Sequence, residues 1–487
     1  MFLISIIQYM KKIWMLIVGF FAGLLGCHAQ NVDPRQQGLS IYQIMVASFQ
    51  HSPDGAEGYA AMWGPDGDTK NGNLRGIINS LDYIASLGVN AIWLTPIFDS
   101  STAQGGEKLQ ATGYFTNDYF KIDPHFGSEA EFQELVDEAH KRGLYVILDG
   151  VFGHHGGVTA PSPSGYELDS TVTLSDRGEA GGTGNVSYPG SLDYIREVAT
   201  YWIDKYGIDG WRLDQSYQMT QGGHNYWTEI RKAVEGAAKA RKERGEEWGT
   251  LGYMVGEDWG DAAGINQRSL RDLGLVSVFD FDGKERISGA MQELGGEGLD
   301  NGWDDIILTW AAPKERGYNS NHAMPNLFLS NHDGYRLADH FDDNLRYQKM
   351  MTRHAILAGY PGPITLYYGD EYGDLSKNSV GAQKDNIART SGHLYPRNAD
   401  EQALRDYVAG IMRFRQDNPA MWRGATEYDR QQVGDADVLI ATKTDKATGN
   451  QVVMVFSNAD VPSITLPGLP EPVAIQAWVP LYYRVRP

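Results

Sequence analysis

The 487-residue chain carries 42 Lys and Arg against 62 Asp and Glu, a formal net charge of -20, and so lacks the basic surface that a nucleic-acid partner requires. Its single cysteine excludes an intramolecular disulfide and any multi-cysteine metal site. With 42% hydrophobic residues the chain is long enough for more than one domain, and a neutral partner such as sugar suits it better than an anion.

Residues 1–26 form a near-continuous apolar run broken by Lys11 and Lys12. Read from Met10, the run has a charged start, an apolar core over 13–21 and small residues near its end, the pattern of an export signal. The ending Leu24, Leu25, Gly26, Cys27 resembles the bacterial lipoprotein box, which implies cleavage before Cys27 and lipid attachment to it. An ordinary cleaved signal and an uncleaved anchor helix are the other readings of this run. Residues 27–38 read as a polar tether. His28 after the Cys carries no sign of inner-membrane retention, so the expected location is a lipid anchor in the outer membrane of a Gram-negative cell, with periplasmic or secreted protein as the alternative.

From residue 39 the grammar alternates. An apolar strand-like run opens it, a Gly- and Asp-rich loop covers 52–73, and Leu74, Ile77, Ile78, Leu81, Ile84 and Leu87 recur at helical spacing before Gly88. A buried-strand run follows over 89–98. Helices are expected at 129–142, 191–205 and 225–241, and strands at 144–149, 207–213, 252–256, near 279–282, at 326–330 and at 364–370, with a helix through Met350 and Leu357 before the last. Strand and helix in alternation close into a (β/α)8 TIM barrel, here over 39–427. The Gly-, Ser- and Thr-rich stretch 155–190 is an insertion after strand 3. From 428 to 487 short alternating strands with turns predict a small antiparallel β domain.

Several strands end on a carboxylate: Asp149 in DGVFGH, Asp214 in GWRLD, Glu257 in GED and Asp333 in SNHD. A carboxylate at a barrel strand's end is held on rigid backbone at the face where such barrels do chemistry. These four motifs, in this order, resemble the signatures of glycoside hydrolase family 13, the α-amylase family. The resemblance implies a retaining α-glucoside hydrolase acting on α-glucans or malto-oligosaccharides, with 155–190 as a short B domain walling the cleft. It implies Asp214 as nucleophile, Glu257 as general acid/base with a carboxyl raised by burial, and Asp333 as the third carboxylate, which holds the sugar's hydroxyls. Tyr114 matches the family's aromatic platform, and His154 and His332 its sugar-binding histidines. Arg212, two residues before Asp214 and on the same side of the strand, keeps the nucleophile ionised or fills an inner barrel layer. Arg336 orients Asp333 or binds a neighbour in its loop; both arginines count as substrate-binding candidates.

Two departures bear on cofactors. The family's usual Asn before the first-motif His, a calcium ligand, is Gly153 here, and the Lys and His three and four residues after the nucleophile are Tyr217 and Gln218. No cofactor is expected, and the family's calcium site is doubtful. The rival readings are a transglycosylase or isomerase of the same fold and a non-catalytic, lipid-anchored glucan-binding protein; the full set of carboxylates argues against the last.

Overall fold

The computed structural model describes residues 33–486 except 66–68, 104, 158, 174–182, 290–295 and 378–385. The expected signal over 1–26 and Cys27 lie outside the described residues. Among the described residues no helix is long and apolar enough to cross a membrane. The tether ends earlier than expected: Pro34–Gln37 makes one helical turn, fastened by Arg35 to Thr250 and by Gln36 to the Leu251 carbonyl.

Eight parallel strands close a barrel: β1 (Ser40–Ile44), β2 (Ala91–Leu94), β3 (Tyr145–Gly150), β4 (Gly210–Leu213), β5 (Tyr253–Gly256), β6 (Ser277–Phe279), β7 (Met324–Phe328) and β8 (Ile364–Tyr367), with β8 returning to pair with β1. Side chains alternate between two apolar layers. Ile41, Trp93, Ile147, Tyr253, Val255, Phe279 and Phe328 fill one cluster. Their neighbours Tyr42, Ile92, Leu94, Val146, Leu148, Trp211, Leu213 and Leu327 belong to a second, larger one with the helices. This period of two is what makes a strand buried on both faces read as a continuous apolar run.

The helices form where capping and spacing direct them. Glu129–Lys141 starts at Ser128, whose hydroxyl takes the Glu131 amide while Glu131 reaches back to the Ser128 amide. Leu192–Tyr206 stops at Gly207, whose φ of 77° is one that glycine adopts without strain.

Some boundaries differ from expectation. The segment 74–88 is two helices, Leu74–Ile78 and Leu81–Ser86; at the break the Asn79 side-chain amide donates to Ser52 Oγ and the Ser80 hydroxyl to the Gly76 carbonyl. The sixth strand, Ser277–Phe279, ends on the first residue of FDFD, and Phe281 begins a helix capped by Asp280. The 19-residue helix Ala399–Asp417, which closes the barrel's outer layer, went unassigned in the pattern because charged residues interrupt its apolar face. Within 155–190, Ser170–Thr173 and Thr183–Val186 form a small sheet with His154–His155.

The C-terminal sheet is antiparallel: β9 (Ala425–Val433), β10 (Ala436–Thr444), β11 (Gln451–Ser457) and β12 (Leu481–Arg486). It sits on barrel helices through Trp303 Nε1 to the Asp437 carbonyl, Thr352 to the Trp478 carbonyl and Tyr407 to the Pro480 carbonyl. At this seam Lys443 is buried, its ammonium 4.5 Å from the Trp310 ring centre and bonded to Thr426. Burial, with Arg415 nearby, pushes it down to about 7. The unfolded chain therefore holds a proton that the native state releases between about pH 7 and the ordinary lysine value, and stability rises with pH across that window. We expect the thermal midpoint to rise from pH 7 to 9 and Lys443→Met to flatten that rise while raising the midpoint at pH 7, read by calorimetry.

Candidate active site

Strand register builds the site. Asp149 on β3 and Val255 on β5 flank Arg212 on β4. One step further, the Asp214 amide bonds the Gly150 carbonyl and the Glu257 amide bonds the Leu213 carbonyl, at 3.1 and 2.8 Å. Alternation turns Asp149, Arg212 and Glu257 toward the barrel axis, beside Ile147, Val255 and Tyr253.

Arg212 is 1% exposed and ties three carboxylates together. Its Nη1 lies 2.9 and 3.0 Å from the two oxygens of Asp149 and 3.0 Å from Asp214 Oδ1, and its Nη2 lies 2.9 Å from Glu257 Oε2. The guanidinium also lies 5.0 Å from the Trp93 ring centre. Asp149 accepts from Trp93 Nε1 at 3.1 Å and from the Tyr114 hydroxyl at 2.8 Å. Arg212 thus lies beneath the carboxylates and does not line the cleft; the expectation that it touches substrate is corrected, since both terminal nitrogens of its guanidinium engage carboxylates.

Burial drives the Asp214 carboxyl well above the usual range, opposed by Arg212 and reinforced by Glu257, Asp149 and Asp333. Burial likewise raises Asp149 to about 6 against the pull of Arg212. One guanidinium among three carboxylates therefore favours retention of a proton in the cluster near neutral pH. Among the described residues Asp214 Oδ2 has no hydrogen-bond partner; His154 Nδ1 stands 3.8 Å away.

Above this base a cleft of about 570 Å³ is lined by Tyr114, His154, Asp214, Glu257, His332 and Asp333, with Trp63, Gln215, Tyr217, Trp259, Arg268 and Arg389 around them. Tyr114 stacks on His332, ring centres 5.2 Å apart and 6° from parallel. Burial lowers His154 to about 4 and puts His332 well below its ordinary value, so both are neutral at pH 7. Gln43 contacts His332 Nδ1 at 2.8 Å, and His332 Nε2 faces Asp333 Oδ2 at 3.2 Å. With the Gln43 amide nitrogen as donor, the ring carries its proton on Nε2.

Arg336 lies outside the cleft. It is fully buried, donating to the Tyr368 carbonyl at 2.7 Å, the Ala388 carbonyl at 3.1 Å and Thr390 Oγ1 at 2.9 Å. Its place as a substrate-binding residue is corrected: it fixes the loop that presents Arg389. Arg389, which carried no motif, donates to Asp333 Oδ1 at 2.9 Å, to the His332 carbonyl at 3.2 Å and to the Trp63 carbonyl at 3.3 Å. Trp259, two residues past Glu257, donates its indole N–H to Glu257 Oε1 at 2.8 Å.

The implied calcium site fails a test of fit. A Cβ at Gly153 would lie 1.7 Å from Gln218 Oε1, so Gln218 occupies the space an Asn side chain would need. Among the described residues no three His, Cys, Asp or Glu side chains converge as a metal site.

A model of the alpha-amylase catalytic domain matches residues 43–164 and 187–434. A cyclomaltodextrinase of Geobacillus thermopakistaniensis is 29% identical over 88% of this chain and 69% of its own length. One from a Bacillus species is 26% identical over 87% and 73%. The crystal structure of AmyP in complex with maltose superposes with a TM-score of 0.76 at 34% identity, covering 93% of this chain and 97% of that one.

Proposed function

The chain belongs to the α-amylase family and is a glycoside hydrolase, and we propose that it hydrolyses α-linked glucans or malto-oligosaccharides with retention, Asp214 acting as nucleophile and Glu257 as general acid/base. The observation that carries the assignment is the Arg212 clamp: Asp214 and Glu257 share one guanidinium. Such sharing holds the two carboxyl groups as close neighbours, as in retaining glycosidases, where they stand about 5–5.5 Å apart with no room for a water between nucleophile and sugar. The maltose in AmyP and the cyclomaltodextrin implied by the relatives' names support an α-glucan substrate.

In the first step a proton passes from Glu257 to the glycosidic oxygen, the C1–O bond breaks with its electron pair going to that oxygen, and the Asp214 carboxylate bonds to C1. Water then gives its proton to Glu257 and displaces Asp214 from C1. The shared cluster stores the proton that the leaving oxygen needs. Positive charge developing at the anomeric carbon favours the ionised form of Asp214, and Arg212 stabilises that form. Asp333, gripped by Arg389 and His332, holds the sugar's hydroxyls, and the neutral His154 and His332 bind others. Tyr114 supplies an apolar ring for the sugar's C–H face. The reaction needs no cofactor and no calcium, which the packing of Gln218 against Gly153 supports. The chain is exported and anchored to the outer membrane through acylated Cys27, a reading supported by the 10–27 pattern; a lipoprotein's several acyl chains suffice for stable anchoring.

NMR of the first minutes of reaction on an α-linked substrate is expected to show α-configured product; β-configured product would rule Asp214 out as nucleophile. Glu257→Gln is expected to lose activity on maltotriose yet keep its first step on α-maltosyl fluoride, whereas Asp214→Asn loses both. Activity is expected to survive exhaustive dialysis against a chelator, and inactivation reversed by calcium alone would refute the metal-free reading. Fractionation of expressing cells is expected to find the protein in the membrane and Cys27→Ser protein in the soluble fraction.

A further inference from the structure

The carboxyl of Glu257 is held from two sides. Its Oε2 receives Arg212 Nη2 at 2.9 Å and the backbone N–H of Gln215 at 3.1 Å. Gln215 follows the nucleophile in a left-handed conformation, φ 41°, ψ 50°, uncommon for a residue with a side chain. That strained backbone turns the N–H toward Glu257. Oε1 has, among the described residues, one donor, the indole N–H of Trp259 at 2.8 Å. With Oε2 taken by two donors, Oε1 is the oxygen with room for a transferable proton.

Trp259 is fixed for this contact. Its ring stacks on Phe281, centres 4.7 Å apart and 27° from parallel, and Phe281 packs edge-on against Phe328 inside the barrel. Its carbonyl accepts from Arg268, which also binds buried Asp258. Both neighbours of the indole are thus anchored, and the ring lines the cleft beside Glu257.

We propose that Trp259 is a positioning residue for proton transfer: its indole N–H orients Glu257 Oε1 and stabilises the negative charge that grows there as the proton leaves for the glycosidic oxygen. The inference rests on reading Glu257 as the proton donor. A donor aimed at an oxygen that becomes charged is worth more in the transition state than before it, and so speeds the step. The contribution should appear only where the leaving group needs that proton.

The test compares the wild-type enzyme, Trp259→Phe and an enzyme carrying β-(3-benzothienyl)alanine at position 259, in which sulfur replaces the N–H without changing the ring's size. On maltotriose both variants are expected to lose about tenfold to a hundredfold in kcat, the worth of one hydrogen bond to a charged group. On α-maltosyl fluoride, whose leaving group needs no proton, they are expected to stay within about threefold of wild type. Equal losses on both substrates, or full activity of the benzothienyl enzyme on maltotriose, would overturn the proposal. Glu257→Gln separates the two readings: if it hydrolyses maltotriose normally, the assignment of Glu257 itself fails. If it is inactive while the benzothienyl enzyme is unimpaired, only the role of Trp259 fails.

Discussion

The site depends on one buried cation. Arg212 stands among Asp149, Asp214 and Glu257, three carboxylates from three neighbouring strands, buried at the base of the cleft. Removing one partner of a buried ion pair costs about 3–5 kcal/mol, because the charge left behind is uncompensated. Removing Arg212 would take the shared cation from all three carboxyl groups at once. The surrounding polar contacts follow from this constraint. Trp93 and Tyr114 donate to Asp149, Gln215 and Trp259 donate to Glu257, and Arg389 balances Asp333 separately. The cluster is structural and chemical at once, since the groups that must trade a proton are the groups that hold three strands in register.

Much of this was legible in the sequence, and the reason is geometric. A strand in a closed parallel barrel is covered on both faces, so it appears as an uninterrupted apolar run, and a polar residue at its end stands out. Asp214, Glu257 and Asp333 were found that way. Arg212 was found by its parity with Asp214, although parity alone did not say whether it would meet sugar or carboxylate. Arg336 was misplaced because spacing from Asp333 says nothing about which way an irregular loop turns. Arg389 had no such signal: it sits in a loop after β8, and only the pairing of β8 with β7 brings it to Asp333, 56 residues earlier in the chain. Trp259 was overlooked for another reason. A tryptophan beside a barrel reads as packing, and the function of its N–H exists only in three dimensions.

The insertion after β3 and the C-terminal sheet contribute in different ways. Strand His154–His155 belongs to the insertion's small sheet, so one wall of the cleft is continuous with it through a cleft-lining histidine. Among the described residues, none of the C-terminal sheet's lines the cleft. It covers helices on the barrel's outside, where Trp303 and Trp310 would otherwise meet water, and its cost is a lysine enclosed without a counter-charge.

Barrel closure has a consequence for the timing of activity during synthesis. Asp149, Asp214, Glu257 and Asp333 are all synthesised before β8 is made, yet β1 gains its second neighbour only when Ile364–Tyr367 arrives. Contacts of such long sequence separation form late, since loop closure must precede their reward. The nascent chain is therefore silent toward glucan until nearly the whole barrel has emerged. A product cut short between residue 333 and β8 would carry all four motifs without a closed barrel.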